Sequence, residues 1–238
     1  MIFRKAVLII HGFAGGTYDE ENLANYLELN RFFDVYQFTL PGHENNLKKV
    51  KYQDWIKSSE YKIEWLIEKG YNDIYIIGHS MCGVIATHLA TKYRQIKKLV
   101  LAAPAFQYLD FKNENINIKE SLKKVPKIME QYSGDEIISR VFKVNINAVR
   151  EFMLLVKKYY NTPSNVICPA LLLHGTDDHL VPTSSIEYVY NELNKNIKKI
   201  VYINKVTHDI FKLDRQEEIF KIVEEFLKHN TAGGIEYI

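Results

Sequence analysis

The stretch DIYIIGHSMCG, residues 73–83, decides how this chain folds. Asp73 to Ile77 is a short run rich in β-branched residues, the composition of a buried strand. Gly78-His79-Ser80 closes it, and a helical pattern follows from about Met81 to Tyr93. A sharp strand-to-helix turn lifts the Ser80 hydroxyl clear of the backbone at the carboxyl end of a strand. Glycines on either side tolerate the close chain approach that such a turn forces. The turn also opens a helix, where free N–H groups can receive a negatively charged oxygen. Without other groups it would be only a connection. Serine becomes a nucleophile when a base takes its proton.

On either side of this stretch, short apolar runs alternate with helical patterns. KAVLII (5–10), DVYQFTL (34–40), KLVLAA (98–103), Ala170 to Leu173 and Lys199 to Ile203 read as strands. Asp19 is placed to cap a helix carrying Leu23, Tyr26, Leu27 and Asn30. Tyr52 to Lys69 is amphipathic, with Trp55, Ile56, Ser59, Ile63, Leu66 and Ile67 on one face, and Gly70 supplies its stop. Ser184 to Leu193 and Phe211 to Lys228 complete the helices. This alternation predicts a mostly parallel central sheet with helices on both faces. The pattern breaks between Ala105 and Asn165, where the best helical piece, Ala148 to Tyr160, carries Val149, Phe152, Met153, Val156 and Tyr160 on one stripe. That segment reads as an insertion after the strand ending near residue 103. The tail Asn230 to Ile238 shows no partner pattern and is expected to be loosely held.

Composition bounds the function. A chain of 238 residues, 47% of them hydrophobic, can build one sizeable core. Lys plus Arg is 31 against 29 for Asp plus Glu, so no field of one sign extends from the surface. The lysine pairs are scattered between apolar runs, which speaks against a nucleic-acid groove. Two cysteines, Cys82 and Cys168, without metal-ligand spacing suit a reducing interior, and no metal or organic cofactor is expected. The apolar N-terminal run Ala6 to Ile10 is too short for a signal-peptide core. No run of about 18 apolar residues occurs, so no transmembrane segment is expected and the location is expected to be cytoplasmic.

The base for Ser80 must come from eight histidines. His208 follows the strand Lys199 to Ile203, at the sheet edge that also carries Ser80. A histidine titrates near pH ~6.5, which suits taking a proton and then returning it. His11, His43 and His174 sit at strand or turn ends and read as structural; His88, His179 and His229 read as surface or packing residues. The base needs an acid to hold its tautomer. His174-Gly175-Thr176-Asp177-Asp178 follows a strand at the same edge, and residue type alone does not choose between Asp177 and Asp178. The order serine, aspartate, histidine differs from the chymotrypsin and subtilisin orders. HGFAGG (11–16) follows the first strand, where the Phe13 N–H, with the Met81 N–H after Ser80, would form an oxyanion hole. The loop lacks both G-x-G-x-x-G and G-x-x-x-x-G-K-[ST], so dinucleotide or phosphate binding is not indicated.

With HGFAGG (11–16), LPGH (40–43), GHSMCG (78–83), HGTDDHLVP (174–182) and VTHDIFKLD (206–214), the chain resembles the α/β-hydrolase superfamily. Within it, the resemblance is to compact bacterial carboxylesterases and monoacylglycerol lipases, over residues 5–228. The resemblance implies that Asp178, three places after the glycine, is the acid. It implies that residues 1–104 and 166–238 form an α/β-hydrolase core and that 105–165 is a small helical cap over an acyl pocket. The apolar stripe of that segment reads first as core packing and second as an acyl wall, with Phe152, Met153 and Val156 as the candidate substrate contacts. The implied substrate is a small ester with an apolar acyl chain. One position departs from the family: Cys82 stands where a glycine usually follows two places after the serine. The same machinery also serves thioester cleavage, acyl transfer and C–C hydrolysis, and the scaffold can act as a non-catalytic binding module.

Overall fold

A computed structural model describes residues 4–43, 47–107, 146–193, 198–212, 215–229 and 233–238. Among the described residues seven strands form one sheet: β1 (Lys5–Ile10), β2 (Phe33–Gln37), β3 (Ile74–His79), β4 (Ile96–Ala102), β5 (Ala170–Gly175), β6 (Lys198–Ile203) and β7 (Gly234–Tyr237). Their order is β2-β1-β3-β4-β5-β6-β7, and every neighbouring pair is parallel. Among the described residues six α-helices connect them: α1 (Glu21–Glu28), α2 (Tyr52–Glu68), α3 (Met81–Lys92), α4 (Ile146–Tyr159), α5 (Thr183–Glu192) and α6 (Gln216–Lys228).

Parallel strands buried on both faces need two cores, and the period-2 alternation supplies them. Along β1, Ala6, Leu8 and Ile10 face α2, α3, α4 and α5. Val7 and Ile9 face α1 and α6. The strand order reverses at β1, which lies between β2 and β3. In open α/β sheets the crevice outside the carboxyl ends of such strands is where ligands bind. HGFAGG leaves β1 there, and Ser80 leaves β3 beside it.

Lys98 shows how a charge is buried at low cost. Its Nζ donates to the carbonyl oxygens of Phe226 (2.7 Å), Leu227 (3.1 Å) and His229 (2.8 Å) at the end of α6. A cation there satisfies carbonyls that lack intrahelical partners and matches the negative end of the helix dipole.

Four local expectations change. Asp19 does not cap α1. Glu20 takes the N-cap position, while Asp19 closes a 3₁₀ turn and accepts the Gly16 N–H. β2 stops at Gln37 because its one neighbour ends: Ile9 pairs with Gln37, and β1 finishes at Ile10. The last helix starts at Gln216, since Phe211 is held in the preceding loop with its ring 6.1 Å from that of His79. The tail is not loose over its whole length. Gly234–Tyr237 adds a parallel edge strand to β6, secured by Tyr237 stacking on Tyr202 at 4.8 Å and by a Lys199–Glu236 ion pair. A four-residue edge strand is too short to leave an alternation signal that stands out from a loop.

The insertion expected at 105–165 falls largely on residues 108–145, which lie outside the described residues. Its described end, α4, packs against α2 and α3. Among the described residues, no helix is long and apolar enough to cross a membrane.

Candidate active site

Ser80 sits between β3 and α3 with φ 54° and ψ −120°. A non-glycine residue pays on the order of 1–3 kcal/mol for such a conformation, and packing must enforce it. The Ser80 N–H donates to the Ala102 carbonyl (2.8 Å), and its carbonyl accepts the N–H groups of Gly83 (2.9 Å) and Ala105 (3.1 Å). Gly78 is needed because a Cβ there would lie 2.4 Å from the Cys82 carbonyl oxygen. Cys82, at the departure from the family pattern, is fully buried, and burial pushes its thiol well up. It stays protonated and packs against its neighbours.

Strained backbone recurs around this edge. The non-glycine residues with positive φ among those described are Ala14 (59°), Ser80 (54°), Ala103 (44°) and Lys205 (61°). They follow β1, β3, β4 and β6. The turn carrying Phe13 abuts the elbow, since a Cβ on Gly12 would lie 3.3 Å from the Ser80 Cβ. The Met81 N–H opens α3, where the first amides have no intrahelical partner. The Phe13 ring turns into the core, 5.2 Å from Phe152 and 6.1 Å from both Trp55 and His43. Phe152, Met153 and Val156 are all buried in that same core.

The loops after β5 and β6 are stitched together. The Thr176 N–H donates to Ile203 O (3.0 Å) and the Asp177 N–H to Val206 O (3.0 Å). A Cβ at Gly175 would lie 2.1 Å from the Val206 oxygen, so only glycine permits this approach. The stitching brings Asp178 to His208: Oδ2 lies 2.7 Å from Nδ1. The Asp178 side chain is fully buried, and its Oδ1 accepts the N–H groups of Leu180 and Val181 at 2.9 Å each. Burial alone would raise its pKa, but the His208 charge and hydrogen bond outweigh burial and the net shift is downward. Asp177 is exposed, its carboxylate bonded to the Thr176 hydroxyl. The two aspartates that residue type left open are thus separated by geometry. The His208 ring lies 5.0 Å from that of His79, the residue before Ser80. Serine, aspartate and histidine loops therefore share one rim.

A family profile described as serine aminopeptidase, S33, matches residues 3–216. The chain belongs to that family. It is an α/β-hydrolase enzyme, similar over most of its length to proteins named carboxylesterase and monoacylglycerol lipase. A carboxylesterase of Bacillus subtilis is 26% identical, covering 94% of this chain and 92% of the relative. A thermostable monoacylglycerol lipase of a Bacillus species is 22% identical, covering 94% and 90%. A solved structure of the metagenome-derived lipolytic enzymes LipS and LipT shares the fold, with a TM-score of 0.76, 17% identity and 95% coverage of each chain.

Among the described residues of this S33-family hydrolase, no group of three or more His, Cys, Asp and Glu is arranged to hold a metal. The structure adds two site neighbours that sequence reading missed, His79 and Glu20. The signal for His79 was strand parity: Tyr75, Ile77 and His79 share one buried face of β3. A histidine ending such a stripe needs polar partners. Nothing comparable marks Glu20 within the polar run Tyr18 to Asn22.

His11 and His174 are buried and His43 is half-buried. His11 Nε2 accepts the Leu40 N–H at 3.0 Å. Burial lowers all three pKa values, that of His43 to about 3, with the His11 charge adding to the effect. A folded value below the ordinary 6.5 means the unfolded chain binds more protons in between. Stability should therefore fall as pH drops from about 6.5 towards 3, His43 alone contributing a loss of about 2 kcal/mol by pH 5. Urea midpoints measured from pH 7 to pH 5 test this. The decline should shrink in His43→Gln, and a flat profile in the parent enzyme would contradict it.

Proposed function

We propose that this enzyme hydrolyses carboxylic esters of short or medium acyl chains, or monoacylglycerols, through Ser80, His208 and Asp178. The observation that carries the reading is the 2.7 Å His208–Asp178 bond at the rim where the strained Ser80 elbow emerges. In this mechanism His208 Nε2 takes the Ser80 proton as Oγ bonds to the ester carbonyl carbon. The carbonyl π-electrons move to oxygen, and the N–H groups of Phe13 and Met81 stabilise the charge. Collapse of the tetrahedral species breaks the bond to the alkoxy oxygen, which leaves with the proton from His208. Water, deprotonated by the same imidazole, attacks the acyl-enzyme, and a second collapse returns the proton to Ser80. Asp178 keeps the Nδ1–H of His208 in place and stabilises the imidazolium.

Residues 105–165 serve in this reading as a cap over the acyl pocket, with Phe152, Met153 and Val156 facing an apolar chain. The Phe13–Phe152 ring pair supports it, since it joins the oxyanion turn to α4. The relatives named carboxylesterase and monoacylglycerol lipase favour an ester over an amide substrate.

A fluorophosphonate should label the folded enzyme once, and peptide mapping should find the label on Ser80. A folded sample that takes no label would exclude the nucleophile and favour a binding module. A series of p-nitrophenyl esters of rising chain length, run beside a monoacylglycerol, should then show turnover of the short or medium esters.

A further inference from the structure

His79 ends β3 directly before the nucleophile and is almost fully buried. Its side chain falls on the α1/α6 face of the sheet, with Tyr75 and Ile77. Nδ1 lies 2.8 Å from Glu20 Oε1, and Nε2 lies 3.0 Å from the main-chain carbonyl oxygen of His208. A carbonyl oxygen only accepts, so Nε2 carries a proton. A carboxylate also only accepts, so Nδ1 carries one as well. Glu20 is 1% exposed and sits at the N-terminus of α1, where the helix dipole favours negative charge. An unpaired charge of either sign would be costly at such a depth; together they offset each other through Oε1, while Glu20 Oε2 is buried without a hydrogen-bond partner among the described residues.

We propose that Glu20 and His79 are positioning residues for the hydrolysis assigned above: Glu20 keeps His79 an imidazolium, and His79 Nε2–H grips the His208 carbonyl from beneath. The tie links the base to the residue before the nucleophile. Asp178 orients the His208 ring, while His79 holds its backbone on the loop after β6. There Lys205 has φ 61° and the Ile210 N–H donates to the His208 carbonyl at 3.0 Å. The pair also sets the local field. His208 becomes a cation during the reaction, 5.0 Å from the His79 ring, and a lone His79 cation would oppose that step. Glu20 offsets it.

The charged and titratable groups around His79 come from every adjoining element. They are His11 after β1, Asp19 and Glu20 before α1, and His208, Asp209 and Lys212 in the loop after β6. Lys212 is itself paired with Asp19. Burial lowers the His79 pKa, but the Glu20 hydrogen bond and charge, with Asp209, more than offset it, and the net shift is upward.

The inference rests on the triad reading, and its test separates the two. Ring-¹⁵N-labelled wild-type enzyme at pH 7.5 should show two N–H protons on His79, whether or not any ester is turned over. A single N–H there would overturn the ion pair. Glu20→Gln keeps the size and hydrogen-bonding capacity of the side chain but removes its charge, and should leave His79 with one ring N–H. Fluorophosphonate labelling of Ser80 and kcat should both slow by about 10- to 100-fold, the range that small misplacement of a catalytic group causes, with KM changed less than about twofold. His79→Asn should slow both in the same way. Wild-type labelling rates in folded variants would overturn the positioning role while leaving the triad intact. Absence of label on the wild type would instead remove the triad.

Discussion

Ser80→Ala is expected to lower kcat for a p-nitrophenyl ester by about 10⁶-fold, the loss seen when a serine hydrolase loses its nucleophile. The change removes one oxygen atom from a residue that is 5% exposed. The bonds that shape the elbow run through the Ser80 main chain and do not involve the hydroxyl. Alanine already occupies positive φ at positions 14 and 103, so the variant should adopt the same turn. Its urea midpoint should stay close to the parent value, and substrate should still bind. The remaining turnover, about 10³- to 10⁴-fold above water, would come from the oxyanion donors and the pocket. Cys82 would not rescue it, because its buried thiol lies inside α3 and is held protonated. A folded Ser80→Ala enzyme with activity within tenfold of wild type would end the acyl-enzyme mechanism.

Asp178→Asn is expected to lower kcat by about 10⁴-fold, through the tautomer of His208. In the native site Oδ1 accepts the Leu180 and Val181 N–H groups, and Oδ2 accepts Nδ1–H of His208. In the variant the amide oxygen takes over the two backbone donors. The amide nitrogen then faces His208 and can only donate. Nδ1 must become an acceptor, so the ring proton moves to Nε2, which should have received the Ser80 proton. The constellation keeps its shape and loses its base. Asp178 also supplies stability above its unfolded pKa that is lost as pH falls through its lowered folded value. Acid unfolding of Asp178→Asn should therefore be less steep in that low window. Wild-type kcat in this variant would show that another carboxylate orients the base.

Much of the fold was legible because it depends on local pattern. Buried parallel strands read as apolar runs, and KAVLII, DIYII and KLVLAA each landed within about two residues of a strand. Element ends were less legible because neighbours set them. β2 stops where β1 gives it no further partner, and the final helix is delayed by the loop that carries His208. β7 escaped notice because four residues at an edge are recruited by β6 and by one tyrosine stack, not by their own alternation.

The chain by itself determined which residue types recur at strand ends, their order along the backbone and, through motif resemblance, the family. Those properties are carried by spacing and chemistry within short segments. The tertiary structure alone decided that Glu20, 59 residues from His79 in sequence, meets it under the loop that carries His208; it also supplies the contact between Asp178 and His208, where residue type left Asp177 and Asp178 open and motif resemblance pointed to Asp178. Both depend on how sheet register and loop stitching bring separate strand ends to one rim. No segment encodes that by its own propensity, since the free energy comes from contacts between parts of the chain that are distant in sequence.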